Sequence, residues 1–559
     1  MNRIAERVRA AYQRIREVDR PEIWITLRSE QEALLEAETL ELRLSAGAEL
    51  PLAGCTAVVK GNIDVLGLPT TAGCPAFAYE PDADATAVAR LRAAGAIVLG
   101  STNLDQFATG LVGTRSPYGA VRNAWLPDRI SGGSSSGSAV AVALGIADIG
   151  LGTDTAGSGR VPAALNGIVG VKPTRGLVPT SGVVPACRSL DCVTVFARDL
   201  STARTAIELL AGVEETDPLG RPDRPGPALS TVPRLAIPTP EHLRDLADGW
   251  KEAFDRAVEA FASTGVEIVQ LDIAPLLDAA ALLYDGAFVA ERTAAVGSFV
   301  ERHCNLIGSD IDETVAGIVL GGHQWTAVDV FRDRERLDRL SSEAHRLLAG
   351  CDALLTPTTT WHPTFEQVAA DPVGANSRMG RFTNFANLLD MAALAIPAGS
   401  VGGGPFGVML TGPAFSDRLL AEFASRFAGR RVELAVFGAH LSGQSLNHQL
   451  VAAGGTRVGD VSTAAAYRLY ALDTVPSKPG LVHVGEGGGS IAGELWSLPS
   501  AGFGTFVADI PRPMTIATVV LADGRTVTGF GCESSALATA EDITSLGDWR
   551  TYLRAELKA

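Results

Sequence analysis

Residues 130–162 read ISGGSSSGSAVAVALGIADIGLGTDTAGSGRVP. A glycine–serine run standing alone would be a flexible linker. Its flank argues otherwise, because AVAVALGIADIGLGTD follows without a gap and has the character of a buried helix and then a strand. The serines are therefore expected at a helix start inside an α/β core, where unpaired N–H groups face outward and receive negative charge. Further on, small residues in TDTAGS let consecutive amides approach a reacting carbonyl just before Ser158.

A serine nucleophile needs a base. No histidine precedes His242, so a Ser/His/Asp arrangement within the glycine-rich region is excluded. Lysine is the alternative, and Lys60 stands in TAVVKGNIDV (56–65) between valines and a glycine. Burial there would lower its pKa from about 10.4 and favour the neutral amine, the only form that accepts a proton.

Working outward, residues 55–200 alternate short β-branched runs with alanine-rich helical stretches. TAVVKGNIDV and GAIVLGST read as strands, and DATAVARLRAAG between them has helix spacing. Asp217–Arg234, rich in proline and glycine, reads as a surface loop, after which RLAIP resumes a strand. Helical segments are expected from Pro240 to about Leu348. CDALLTPTTT and MAALAIPAGSVGG then return to buried-strand character, which suggests one large domain ending near Arg431. Beyond it VELAVFGAHLSG, AAYRLYALDTV, GSIAGELWSL and ATVVLADGRTVTGFGC are short strand-like runs, a second and β-rich domain. The Asp523–Gly524 step predicts a type I′ hairpin turn.

The chain has 559 residues, too many for one hydrophobic core, and its 46% apolar and 20% charged residues are ordinary for a globular protein. A net charge of −16 disfavours nucleic acid and anionic lipid as partners, and an anionic substrate would need its own arginine. Seven cysteines form no CxxC pair and lack histidines at zinc spacing, so no metal site is expected. The first twenty residues carry many charges and no apolar core of a secretion signal. They predict an amphipathic helix and a cytoplasmic protein. The run GEGGGS (485–490) lacks the ending of a phosphate loop and reads as a plain loop.

Taken together, the segments around Lys60, Ser134 and Ser158 resemble the amidase signature family over roughly residues 20–430. The resemblance implies a mixed β-sheet covered by helices, with Ser158 as nucleophile, Ser134 as a bridging serine after a cis peptide and Lys60 as general base. Thr155, Ala156 and Gly157 match its oxyanion-hole positions. Two departures stand out: Ser136 replaces a usual glycine, and AGSGR stands where GGSIR is commoner. With LLYDGAFVAERTAA and the appended domain, they resemble the allophanate hydrolase branch. There Tyr284 and Arg292 match the residues that hold the substrate carboxylate. Being eight residues apart, they are expected on one helix face, two turns from each other.

The implied domains are 1–431, with a helical segment over about 1–45, and 432–559, an α+β domain of γ-glutamyl cyclotransferase-like type. His440 matches that domain's proposed functional histidine, linked to decarboxylation of the first product, and Glu494 its acidic position, to which no step is assigned. Neither a cofactor nor a metal is implied, whereas a homodimer is, with a place in nitrogen metabolism downstream either of urea carboxylation, in urea degradation, or of the breakdown of a nitrogen-rich ring compound. Two other activities stay open: an amidase for another short carboxylated amide such as malonamate, and one component of an amidotransferase that works with partners on charged transfer RNA.

Overall fold

The computed structural model describes residues 3–428, 431–453, 455–474 and 477–556. Residues 1 and 2 of the expected N-terminal helix, 429 and 430 at the expected domain boundary, and 557–559 lie outside these. The chain divides into two compact units, Met1–Ser425 and Arg426–Ala559.

The first unit is α/β, built on one mixed sheet of eleven strands, with the order β1-β3-β2-β4-β6-β5-β10-β11-β9-β7-β8. These are β1 (Trp24–Leu27), β2 (Thr56–Lys60), β3 (Ile97–Thr102), β4 (Ile149–Asp154), β5 (Val169–Lys172), β6 (Cys192–Ala197), β7 (Arg234–Pro238), β8 (Glu267–Leu271), β9 (Ala353–Pro357), β10 (Met391–Val401) and β11 (Gly404–Pro413). β2 runs parallel to both β3 and β4, while β6, β5, β10 and β11 pair antiparallel. Every residue of β2, β3, β4 and β6 is buried, as expected of central strands covered by helices on both faces.

The helix Arg3–Val18 forms as its charge and apolar spacing predict. Ile4, Val8, Ala11 and Tyr12 are buried in the core cluster that also contains Val58 and Val140. Burial of Ile4 and Val8 contributes about 1.5–3 kcal/mol each. A capping box at Ser29 and Glu32 starts the next helix, Glu30–Ser45.

One expectation fails here. The stretch 240–348 is not wholly helical, because EIVQL forms β8 on the sheet edge beside β7. As an edge strand it has no fully buried residue, and its apolar run is too short to stand out. The expected loop is a surface loop, with no regular element over 217–233, anchored at its start because Asp217 is buried and accepts from the amide and hydroxyl of Thr180.

The second unit is smaller and β-rich. A five-stranded sheet has the order β13 (Thr456–Ser462), β16 (Ala492–Pro499), β12 (Arg431–Val436), β18 (Thr526–Cys532) and β17 (Met514–Val520). A three-stranded sheet joins β15 (Lys478–His483), β14 (Tyr467–Leu472) and β19 (Glu541–Asp542). The hairpin between β17 and β18 exists, but its turn is not type I′. Gly524 N–H donates to Leu521 O, Leu521 N–H donates to Arg525 O, and only Gly524 has positive φ, at 86°. That is a three-residue loop closed by a glycine bulge, the next commonest hairpin solution. Among the described residues no helix is long and apolar enough to cross a membrane.

Candidate active site

Lys60 ends β2, where the strand gives way to a turn, and is fully buried. Its Nζ donates to Ser134 Oγ and to Thr153 Oγ1, both at 2.7 Å. Burial lowers its pKa to about 7, with Asp105, Asp191 and Asp154 acting the other way. Near neutrality the amine is thus about half uncharged. Ser134 follows a cis peptide from Gly133 and lies two residues before the helix Ser136–Ala143.

The second serine lies in the loop after β4. Ser158 is buried, and its hydroxyl donates to Gly110 O at 3.4 Å, a long bond that is easily given up. No hydrogen bond joins Ser158 to Ser134 among the described residues.

A buried ion pair shapes this loop. Asp154 receives Arg160 through two bonds, Nε to Oδ2 at 2.9 Å and Nη2 to Oδ1 at 2.8 Å. Burial opposes ionisation of Asp154, but Arg160 outweighs it and holds the carboxyl below its ordinary pKa. The same carboxylate accepts from Gly157 N–H (2.8 Å) and Gly159 N–H (2.9 Å), and Arg160 reaches on to Thr383 O and Asn387 Oδ1. Thr155 Oγ1 donates to Asp191, whose carboxyl burial pushes up to about 6.

The oxyanion expectation changes in one respect. Gly157 N–H is already engaged by Asp154, whereas the amides of Thr155, Ala156 and Ser158 have no acceptor among the described residues. Gly157 has a different task. It takes φ 138°, and a Cβ there would stand 2.3 Å from Thr383 Oγ1. Gly157→Ala is therefore expected to displace the free amides and lower kcat about a hundredfold, with KM changed far less. Steady-state ammonia release measures this, and unaltered kcat would dismiss the steric role.

A third segment spans the site. Asp105 accepts from the amides of Val112, Gly113 and Arg115, and its own amide donates to Ser134 O. Between these anchors lie Gly110, which accepts from Ser158, and Thr109, whose Oγ1 accepts from Arg292 Nη1 at 3.3 Å. Arg292 Nη2 donates to Tyr284 OH at 3.1 Å, and the guanidinium lies 5.3 Å from the Tyr284 ring centre.

Tyr284 and Arg292 meet, though not on one helix. The helix Ala274–Asp285 ends at Gly286, which is extended, and a 3-10 turn, Ala287–Val289, leads to Ala290–Arg292. A glycine breaks the helix, so the spacing argument fails even though the two side chains come together. A π-helical stretch, Thr293–Gly297, follows directly, a device often found at functional sites. Arg292 is 1% exposed, has no carboxylate partner among the described residues, and its Nε has no hydrogen bond. A guanidinium stays charged in proteins; among the described residues this one hydrogen-bonds only to the hydroxyls of Thr109 and Tyr284, with Asp191 and Glu291 acting on it without direct contact, so it is set to receive an anion.

In the second unit, His440 and Glu494 have different surroundings. Glu494 is 1% exposed and saturated: it accepts from Ser442 N–H and Oγ, Trp496 Nε1 and Arg550 Nη2, and pairs also with Arg457. Burial alone would raise its pKa, but these donors hold it below the ordinary value, which suits a structural anion. His440 instead lines a cavity of about 520 Å³ with Phe437, Lys478, Phe506 and Phe530.

The fold and the site define an amidase. Residues 6–421 match the Amidase family model, and the chain belongs to that family. Residues 432–554 match the model described as allophanate hydrolase C-terminal domain. The allophanate hydrolase of Kluyveromyces lactis is 39% identical in its solved structure, with TM-score 0.70 over 99% of this chain and 97% of that one. The urea amidolyase of Saccharomyces cerevisiae is 41% identical over 95% of this chain. Because the match covers 31% of that protein, the chain spans about a third of its length. A component of the glutamyl-tRNA(Gln) amidotransferase of Natronomonas pharaonis is 34% identical over 67% of this chain and 95% of its own. The chain is thus an amidohydrolase.

Sequence reasoning missed Thr153, Asp105, Asp191 and the Asp154–Arg160 pair. Arg160 lies in the quoted AGSGR, and an arginine two residues after a buried serine was a usable signal. Asp105 gave none.

Proposed function

We propose that this chain hydrolyses allophanate with Ser158 as nucleophile, Ser134 as proton carrier and Lys60 as base. The carrying observation is the buried guanidinium of Arg292, with no carboxylate in hydrogen-bond contact among the described residues and tied through Thr109 to the segment that touches Ser158. Allophanate has a carboxylate one nitrogen away from its amide carbonyl. Arg292 and Tyr284 would fix the carboxylate by charge-assisted bonds and so orient the far carbonyl at Ser158.

Ser158 leaves Gly110 O and gives its proton to Ser134, whose own proton passes to neutral Lys60. The oxygen then bonds to the carbonyl carbon, and the resulting oxyanion is received by the free amides of Thr155, Ala156 and Ser158. When the C–N bond breaks, the proton returns through Ser134 to the leaving nitrogen and ammonia departs. Water, activated in the same way, frees N-carboxycarbamate from Ser158. Loss of carbon dioxide from that product breaks a C–N bond whose electron pair stays on nitrogen, which takes a proton. The cavity beside His440 is the proposed place for this step.

A substrate panel tests the reading. Arg292→Gln should lower kcat/KM for allophanate by about a hundredfold or more, while hydrolysis of an uncharged amide such as propionamide stays within a few-fold. Equal losses on both substrates would sink the anion-holding role. Malonamate as the better wild-type substrate would replace allophanate. A homodimer, a cytoplasmic setting and a place in urea breakdown are further parts of the proposal. Likeness to the urea amidolyases supports the last, and sedimentation of the purified chain tests the first.

A further inference from the structure

We propose that Thr109 is a positioning residue that sets specificity: a carboxylate held by Arg292 acts through the Thr109 hydroxyl on the strap 105–110 and so releases Ser158 from the Gly110 carbonyl. This rests on the allophanate reading and deepens it, since the ligand concerned is the carboxylate end of that substrate.

The strap is fixed at both ends and strained between them. Gln106 N–H donates to Arg115 O at 2.8 Å, and its side chain donates to Gly73 O and Asp310 O and accepts from Asp312 N–H. At the far end Leu111 N–H donates to Asn376 Oδ1 at 2.7 Å. In between, Phe107 and Ala108 stand at φ 50° and 52°, two consecutive left-handed residues, neither of them glycine. A side chain makes that conformation costly, so it persists only where neighbours hold it, and such residues collect at sites that switch. The Phe107 ring is packed between Phe77 and Phe299, 5.3 and 5.9 Å between centres, which leaves Ala108 as the point of movement. Thr109 is held more lightly. Its carbonyl accepts from Arg115 Nη1 at 3.0 Å and its hydroxyl donates to Phe107 O at 3.2 Å, while the Gly110 N–H has no acceptor among the described residues.

Two long bonds join this strap to the site. Thr109 Oγ1 accepts from Arg292 Nη1 at 3.3 Å, and one residue on, Gly110 O accepts from the Ser158 hydroxyl at 3.4 Å. Both lie beyond the usual range for their donors, so both give way readily. While the second lasts, the Ser158 hydroxyl faces Gly110 O and shares no bond with Ser134 among the described residues. A carboxylate binds a guanidinium more strongly than a neutral hydroxyl does, through charge-assisted bonds that also fix its plane. Arg292 then turns from Thr109, the strap shifts about Ala108, and Gly110 O draws away from Ser158. At 3.4 Å a small displacement ends that bond and leaves the hydroxyl to Ser134. An amide without a carboxylate leaves Ser158 held, so filling the Arg292 site is a condition for attack as well as for binding.

Formamide and formate together make up allophanate less its bridging nitrogen, so they separate the reacting amide from the carboxylate. In the unaltered chain the initial rate of ammonia release from formamide should rise about tenfold or more at saturating formate. Arg292→Gln should lose this activation. Thr109→Val should lose most of it, and Thr109→Ser, which keeps the hydroxyl, should retain it. The ratio of rates with and without formate is read for each protein, so a general loss of folded enzyme cancels. Formamide turnover that is unchanged, lowered or undetectable at saturating formate overturns the proposal, and that result needs no variant. Full activation in Thr109→Val overturns it too. Ammonia release from allophanate, measured alongside, distinguishes the two failures: allophanate turnover without activation of formamide dismisses the part played by Thr109 alone, and no allophanate turnover dismisses the first reading.

Discussion

Ser158→Ala is expected to abolish ammonia release, lowering kcat by about 10⁴-fold or more, while the protein stays folded. The two halves of this expectation rest on different observations. Activity goes because no other hydroxyl in the loop after β4 stands beside the free amides. Thr155 comes nearest in sequence, but its hydroxyl is committed to Asp191. Stability is kept because Ser158 makes one hydrogen bond, at 3.4 Å to Gly110 O, and a neutral bond of that kind is worth about 1 kcal/mol at most. The melting temperature should therefore stay within about 4 °C of the wild type. Acid-quenched mass spectrometry adds a direct test: wild type under turnover should carry an acyl group on the peptide containing Ser158, and the variant none. Retained turnover in a folded variant refutes the nucleophile. Ser134→Ala should fall between the two, since it leaves both Lys60 and Ser158 in place without a carrier between them.

Sequence alone revealed the parts of this site that depend on neighbours along the chain. Ser134 and Ser158 sit in glycine-rich runs at the ends of a helix and a strand, and these runs must be small because the backbone itself does the work. Lys60 was legible because a charged residue inside a run of valines demands a reason. The sheet was legible for the same cause, central strands being apolar on both faces. What stayed hidden depends on distant partners. Asp105, Asp154 and Asp191 are buried acids whose donors lie on loops that only the fold assembles, and the sequence shows no more than three aspartates. β8 was hidden because an edge strand needs only one apolar face. Tyr284 and Arg292 show the limit most clearly: helix periodicity pairs them, they do meet, and yet Gly286 interrupts the helix between them. Periodicity holds only while backbone hydrogen bonding is continuous, and a single glycine ends that. The turn at Asp523 failed similarly, because residue preference allows several hairpin loops and strand register selects one.

Lys60→Met is expected to lower kcat by about 10⁴-fold and to remove a pH dependence from stability as well as from rate. Only the neutral amine accepts a proton, and burial brings the pKa to about 7, so wild-type kcat/KM should rise with pH, reach half its plateau near 7 and fall about tenfold per pH unit below that. The folded-state pKa lies below the ordinary 10.5, so between about 7 and 10.5 the unfolded chain holds a proton that the folded chain does not. Stability attributable to this group therefore rises with pH across that window, by an amount on the order of 5 kcal/mol, and the whole penalty applies below about pH 7. Lys60→Met has no proton to lose, so its urea midpoint should fail to follow that rise, and wild type should gain on the variant steadily from pH 7 to pH 10. A flat rate profile between pH 6 and 8, or parallel stability curves for the two proteins, would show that position 60 stays charged. A charged ammonium there cannot take the proton of Ser134, and attack by Ser158 would then need another base.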